Sequence, residues 1–188
     1  MDLSPLNIEL IVIAGVVLLI AGLSWWYVER RKTAALRKKF GSEYDRAVLV
    51  HGSERKAEAK LADREKRVEH LTIRDLDSFE QERFAKQWEN VQARFVDSPK
   101  GAVLEADDLV ASLMKTRGYP VSDFDQRAAD ISVDHPRVVE NYRSAHETTL
   151  RVGKLEATTD ELRAAMIHYR ALYEELMQTT PPGAGKVA

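Results

Sequence analysis

Hydrophobic residues recur along most of this chain at the three- and four-residue spacing of amphipathic helices, but one segment has no polar side. From Leu10 to Val28 the sequence reads LIVIAGVVLLIAGLSWWYV and carries no charged residue. An α-helix needs about 20 predominantly apolar residues to cross a bilayer core, and a helix buried in a globular core rarely runs so long without a polar face. The pattern therefore predicts a transmembrane helix over residues 10–28.

The residues at the end of this segment predict its orientation. Three aromatic residues of the kind found at the membrane interface close the segment, namely Trp25, Trp26 and Tyr27. The basic collar, defined as residues 29–40, then supplies Arg30, Arg31, Lys32, Arg37, Lys38 and Lys39. Because cytoplasmic flanks are enriched in Lys and Arg, we expect residues 1–9 outside the cytoplasm and the rest of the chain inside. A cleaved signal peptide is disfavoured, since residues 1–9 contain no basic residue and no small-residue cleavage site follows.

The remaining pattern predicts one helical domain over residues 41–178. Strand-like alternation is missing, and glycines and prolines fall between segments of helical periodicity. The strongest apolar stripe consists of Phe84, Trp88, Val91 and Phe95. The Pro-Pro-Gly sequence that follows this domain predicts a disordered tail over residues 179–188.

Capping residues mark the expected helix boundaries in this domain. Two segments have the spacing of a capping box, Asp77–Glu80 and Thr158–Glu161. We expect Gly118 to end one helix and Ser122 to cap the short helix that follows. The turn at His135 is then expected to open the next helix.

One helix carries a narrow seam that has two interpretations. The seam begins in the helix expected from Glu54 to His70 and keeps a four–three spacing through Ala57, Leu61, Arg64, Val68 and Leu71. The commoner structure with this pattern is an amphipathic helix lying on its own domain. A heptad-like seam also serves self-association or partner binding, and Leu61 and Val68 would be the residues of such an interaction surface.

Composition limits the chemistry that the chain can perform. The 188 residues include no cysteine, which excludes a disulfide, a thiolate nucleophile and a cysteine-based metal site. The net charge is −2 and the part beyond the collar is acidic, so nucleic acid is a poor partner. The 5 histidines form no metal-binding spacing, and neither a phosphate loop nor a nucleophile elbow is present. We therefore expect no catalytic activity, no cofactor and no metal.

The densest group of unusual residues is the segment Arg117-Gly118-Tyr119-Pro120. Its simpler interpretation is a helix C-cap, with Tyr119 packing back on the preceding turns. The alternative is a groove for a ligand or peptide, in which Arg117, Tyr119 and His146 are the converging polar groups. His146 by itself is expected to be a hydrogen-bonded, partly buried histidine.

Three blocks of the domain resemble an uncharacterised bacterial family of short proteins that often have one N-terminal membrane helix. The first block is residues 82–99, which contain the sequences ERF and RFVD. The second is residues 106–120, which end in RGYP, and the third is residues 126–146, which contain SVDHP. The resemblance covers about residues 40–150. It implies a shared fold, and it carries over no activity, cofactor, partner or site residue.

These observations predict an all-α protein with one N-terminal transmembrane helix followed by a cytoplasmic helical bundle. The expected function is that of an interaction, scaffold or regulatory module held at the membrane, without catalysis. Its partners would be the lipid bilayer and either a second copy of the chain or another protein. The alternative is a membrane-tethered sensor that binds a small ligand between its helices.

Overall fold

The computed structural model describes residues 5–120, 122–154 and 156–178, with side chains from Ala14 onward. Within these residues the protein consists of helices without strands, which confirms the all-α prediction. The helices are α1 (Pro5–Phe40), α2 (Ser42–His51), α3 (Glu54–Glu69), α4 (Ser78–Asp97), α5 (Pro99–Arg117), α6 (Phe124–Asp134), α7 (Val139–Gly153) and α8 (Thr159–Met177). The predicted tail, residues 179–188, lies outside the described residues.

The chain divides into two compact units, Met1–Lys39 and Phe40–Ala188. In the first unit, every described side chain of α1 from Ala14 to Lys32 is exposed. Among the described residues, no helix is both long enough and apolar enough to cross a membrane, so the structure does not show the predicted transmembrane helix. The uncharged run of the sequence begins at Leu10, and the side chains of residues 10–13 lie outside the described part.

The second unit is a bundle built around α5, which packs on α4, α7 and α8. The stripe predicted on α4 faces this core: Phe84, Trp88 and Val91 are buried, and Phe95 is partly buried against them. The indole of Trp88 stacks on the ring of Tyr173 from α8, with the ring centroids 4.7 Å apart. The predicted helical bundle is therefore confirmed.

A hairpin of α2 and α3 packs against α6, and α2 also meets α7. The seam of α3 faces into this packing, because Ala57, Leu61 and Val68 are all buried. The predicted interaction surface at Leu61 and Val68 is corrected accordingly, since neither side chain is exposed to a partner. The seam packs on the protein's own domain, which was the commoner of the two interpretations of its spacing.

Truncation of the seam is expected to destabilise the second unit. Leu61→Ala truncates a fully buried side chain, which should lower the free energy of unfolding by about 2–5 kcal/mol. Urea unfolding of the full chain in mild detergent, followed by circular dichroism, measures this loss. The matched control is Leu49→Ala on α2, where the leucine is 84% exposed and the change should stay within about 0.5 kcal/mol. Equal unfolding midpoints for the two variants would place the seam outside the core.

The predicted capping boxes are both confirmed, at Asp77–Glu80 and at Thr158–Glu161. In the first box the Asp77 side chain accepts from the amide of Glu80, and the Glu80 side chain accepts from the amide of Asp77. Hydrogen bonds from the Arg74 guanidinium and from the Asp77 amide lower the pKa of Glu80 to about 2. The glutamate therefore stays charged, and able to cap, down to strongly acidic pH.

The other boundaries were predicted less accurately. Gly118 ends α5 with φ 103°, as expected. The cap of α6 is Asp123 and not Ser122, because the Asp123 carboxylate accepts from the amide of Gln126. His135 closes α6, and α7 begins only at Val139.

Candidate functional site

Arg117, one of the residues predicted to contact a ligand, makes hydrogen bonds to backbone atoms of the protein instead. Its side chain is only 1% exposed, and its Nη1 donates to the carbonyl of Leu176 at 2.7 Å. Its Nε donates to the carbonyl of Arg74 at 3.3 Å, while the Arg74 amide donates to the carbonyl of Arg117 at 2.9 Å. The last carbonyls of a helix have no intrahelical partner. Arg117 therefore supplies the missing donor at the end of α8 and also links this helix end by hydrogen bonds to the α3–α4 connection.

Tyr119 is also part of the packed interior. Its ring is buried, and its hydroxyl donates to Asp134 Oδ2 at 3.0 Å. Burial, together with the Asp134 carboxylate, raises the pKa of Tyr119. The predicted ligand groove at Arg117 and Tyr119 is therefore corrected, because both side chains are buried and hydrogen-bonded inside the domain.

His146 lies in a different cluster of side chains. Its imidazole stacks on Phe124 with ring centroids 3.7 Å apart, and its Nδ1 lies 3.5 Å from Asp107 Oδ2. It is partly buried, as predicted, and its Nδ1 makes no hydrogen bond among the described residues. Arg117, Tyr119 and His146 have different partners, so the three do not form the one groove that the sequence suggested.

The His146 cluster continues into the core between α7 and α8. The hydroxyls of Thr149 and Tyr169 share a hydrogen bond of 2.7 Å. Burial raises the pKa of Tyr169, and the nearby Asp107 carboxylate adds to this effect. Among the residues that the structure describes, no three or more His, Asp or Glu side chains are placed to hold a metal ion.

The residues of the predicted membrane interface all lie on α1. The side chains of Trp25, Trp26, Tyr27, Arg30, Arg31, Lys32, Arg37, Lys38 and Lys39 are exposed. Within this set, the Arg30 guanidinium lies 4.1 Å from the centre of the Trp26 ring, and Arg31 lies 4.6 Å from that of Tyr27. Such cation–π contacts form one helical turn apart, so the aromatic cluster and the first collar residues make one continuous surface.

A polar site that the sequence did not predict lies where α2, α3 and α7 meet. We call it the arginine pocket and define it by Glu43 and Arg46 of α2, Arg64 of α3 and Arg143 of α7. Glu43 is only 3% exposed, and its Oε1 accepts from Arg64 Nη1 at 2.7 Å and from Arg143 Nη2 at 2.9 Å. The Nε of Arg46 lies 3.9 Å from the other carboxylate oxygen of Glu43. One buried carboxylate therefore gathers guanidinium groups from three helices.

Next to these side chains is a cavity of about 310 Å³, whose wall also includes Val50, His51 and Asp125. The side chain of Arg143 is only 12% exposed, and burial lowers its pKa, while Glu43 opposes this shift. The Nε of Arg143 is buried without a hydrogen-bond partner in the described part of the chain. The guanidinium groups in the cavity wall therefore have N–H donors that are not hydrogen-bonded to Glu43.

One signal in the sequence pointed towards this pocket. Arg64 takes a position in an otherwise apolar seam, and a charged side chain in a buried seam requires a partner of opposite charge. The sequence did not identify that partner, because Glu43 and Arg143 are distant from Arg64 along the chain and on other helices.

The fold and the pocket define an all-helical bundle domain with a buried ion-pair network. Comparisons of the chain with protein-family models, with curated proteins and with solved structures find no match. The resemblance to a bacterial family of short membrane proteins therefore stays a prediction, and the function is argued from the residues of this chain.

Proposed function

We propose that α1 holds this protein in a membrane and that the helical domain works there by binding, as an interaction, scaffold or regulatory module without catalysis. One observation carries the proposal: the side chains from Ala14 to Val28 are exposed on every side of α1. A protein partner packed on one face covers a stripe of a helix, whereas a helix that is apolar all round requires apolar surroundings on all sides. Lipid is the surrounding that meets this requirement.

The limits of this segment support the same proposal. Its uncharged run, Leu10–Val28, matches the thickness of a bilayer core. Its last turn carries Trp26 and Tyr27 under the guanidinium groups of Arg30 and Arg31, and aromatic and basic residues in this order are typical of a membrane interface. The basic collar places the helical domain on the cytoplasmic side and residues 1–9 on the other.

Fractionation and fusion of the full chain test this proposal. We expect the protein to stay in bacterial membranes after carbonate extraction, and a C-terminal alkaline phosphatase fusion to be inactive because the enzyme requires export. The double variant Leu18→Arg, Leu19→Arg should move to the soluble fraction, since each arginine costs about 2.5–3.5 kcal/mol at the centre of a span. The matched control replaces two exposed residues of the second unit, Leu49→Arg and Val96→Arg, and should stay in the membrane.

Two results would overturn parts of this proposal. Release of the unmodified chain by carbonate would contradict the anchor itself, and an active C-terminal phosphatase would contradict the proposed orientation. Conversion of all six basic collar residues to glutamine should mix the two orientations and give partial phosphatase activity, because flanking Lys and Arg bias the orientation of a span. These residues are Arg30, Arg31, Lys32, Arg37, Lys38 and Lys39.

The binding role of the domain is tested by crosslinking in intact membranes. We expect covalent species larger than the 21.3 kDa chain, formed with a second copy or with another protein. A chain that remains at its own mass under all crosslinkers would contradict the interaction module. The second candidate function, a tethered sensor for a small ligand, is favoured by the cavity of the arginine pocket.

A further inference from the structure

We propose that the arginine pocket binds a small oxyanion of the phosphate type, carried by a soluble phosphate ester or by a lipid headgroup. The inference deepens the second candidate function, the ligand sensor, and does not depend on the anchor. Three features of the pocket support it: the excess of positive charge, the N–H donors that Glu43 does not engage, and the cavity beside them.

The balance of charge in the pocket favours an anion. Arg46, Arg64 and Arg143 surround the single buried carboxylate of Glu43. The second carboxylate of the cavity wall, Asp125, is exposed and lies in the first turn of α6, so solvent weakens its repulsion of an anion without removing it. The inner wall of the cavity therefore carries more guanidinium groups than carboxylates.

The guanidinium groups of the pocket keep N–H donors that Glu43 does not engage. A guanidinium has five N–H donors, and Glu43 accepts through Oε1 from only one nitrogen each of Arg64 and Arg143. The Nε of Arg143 is buried and has no hydrogen-bond partner in the described structure. Glu43 thus holds two guanidinium groups in position for a planar or tetrahedral oxyanion, which Arg recognises through two parallel hydrogen bonds.

The cavity has the size of a site for a small ligand. At about 310 Å³ it lies at the lower end of small-molecule pockets, which run from about 300 to 1,000 Å³. A phosphate group with a small substituent fits within this volume. Val50 in the wall gives the substituent an apolar surface on which to rest.

Isothermal titration calorimetry of the full chain in a neutral detergent, with inorganic phosphate as the probe, tests the inference. Arg46→Gln should weaken binding by about tenfold or more, the value of one hydrogen bond between charged groups. Because the Arg46 side chain is 44% exposed and its Nε lies 3.9 Å from Glu43, we expect Arg46→Gln to keep the fold. Arg143→Gln is expected to unfold part of the domain. Arg163→Gln is the matched control, because that arginine is exposed on α8 and pairs with Asp160.

Asp125→Asn gives a test of opposite sign. Removal of this carboxylate from the cavity wall should strengthen phosphate binding, because it removes a like charge from the anion's surroundings. Weaker binding by Asp125→Asn, equal losses for Arg46→Gln and Arg163→Gln, or no binding by the unmodified chain would each overturn the inference.

The two sources of the anion are separated by reconstitution of the chain in vesicles. We compare phosphatidylcholine with an equimolar mixture of phosphatidylcholine and phosphatidic acid. A headgroup ligand should compete with inorganic phosphate in the mixed vesicles, and Arg46→Gln should abolish that competition. Unchanged phosphate binding in both vesicles identifies a soluble phosphate ester. A membrane-retained chain that binds no phosphate overturns this inference alone, and a chain that binds phosphate but is released by carbonate overturns only the anchor.

Discussion

Gly118→Ala is expected to unfold the second unit or to leave it only marginally stable. Gly118 has φ 103°, outside the conformations that alanine adopts without strain, and this strain alone costs about 1–3 kcal/mol. A Cβ built on Gly118 would lie 2.2 Å from the carbonyl oxygen of Thr72 and 3.1 Å from its carbon. These are backbone atoms, so no side-chain rotation relieves the clash, and overpacking adds about 1–3 kcal/mol.

The backbone near Thr72 is held in place and cannot move away from a new methyl group. The amide of Arg74 donates to the carbonyl of Arg117 at 2.9 Å, and the buried Arg117 side chain donates back to the carbonyl of Arg74. A shift of this connection would break those bonds and leave the Nε of the buried Arg117 guanidinium without its acceptor, which is costly for a charged group.

The unfolding midpoint in urea, measured by circular dichroism of the full chain in mild detergent, gives the size of this effect. The matched control is Gly153→Ala at the end of α7, where an added Cβ meets nothing within 4 Å. We expect that variant to be neutral or slightly more stable, since alanine favours helix over glycine by about 0.5–1 kcal/mol. Similar midpoints for Gly118→Ala and Gly153→Ala would mean that the connection at Thr72 adjusts freely.

Features set by neighbours along the chain could be predicted from the sequence. The stripe on α4 repeats at helical spacing, so the burial of Phe84, Trp88 and Val91 follows from periodicity alone. Capping boxes join residues three apart, and both form where the sequence places them. Ser122 and Asp123 are both good capping residues, and the choice between them depends on the backbone of the preceding turn, which the sequence does not reveal.

Features set by distant residues could not be predicted. Arg117 was identified as part of a helix end, but the carbonyl of Leu176 that it completes belongs to another helix. The spacing of the α3 seam favours packing on its own domain but also permits docking, and burial by α2 and α6 decides between them. The arginine pocket depends on the meeting of three helices, and periodicity describes each helix separately.

Glu43→Gln is expected to lower the free energy of unfolding by about 3–5 kcal/mol, the usual cost of breaking a buried ion pair. The substitution keeps the shape of the side chain and removes its charge. Arg64 and Arg143 would then face each other without a counter-charge, although the side chain of Arg143 is only 12% exposed. Asp45→Asn is the matched control, because Asp45 lies on the same helix and is exposed, and its effect should stay within about 0.5 kcal/mol.

A double variant separates the role of charge from the role of shape. Glu43→Gln combined with Arg143→Met removes the carboxylate together with one of its buried guanidinium partners. If Glu43 acts through its charge, the double variant should lose less free energy of unfolding than the two single variants lose together. The reason is that no unpaired charge remains at Arg143. Urea unfolding of the four chains in the same detergent gives this coupling energy, and losses that simply add would show that Glu43 acts through packing and not through its charge.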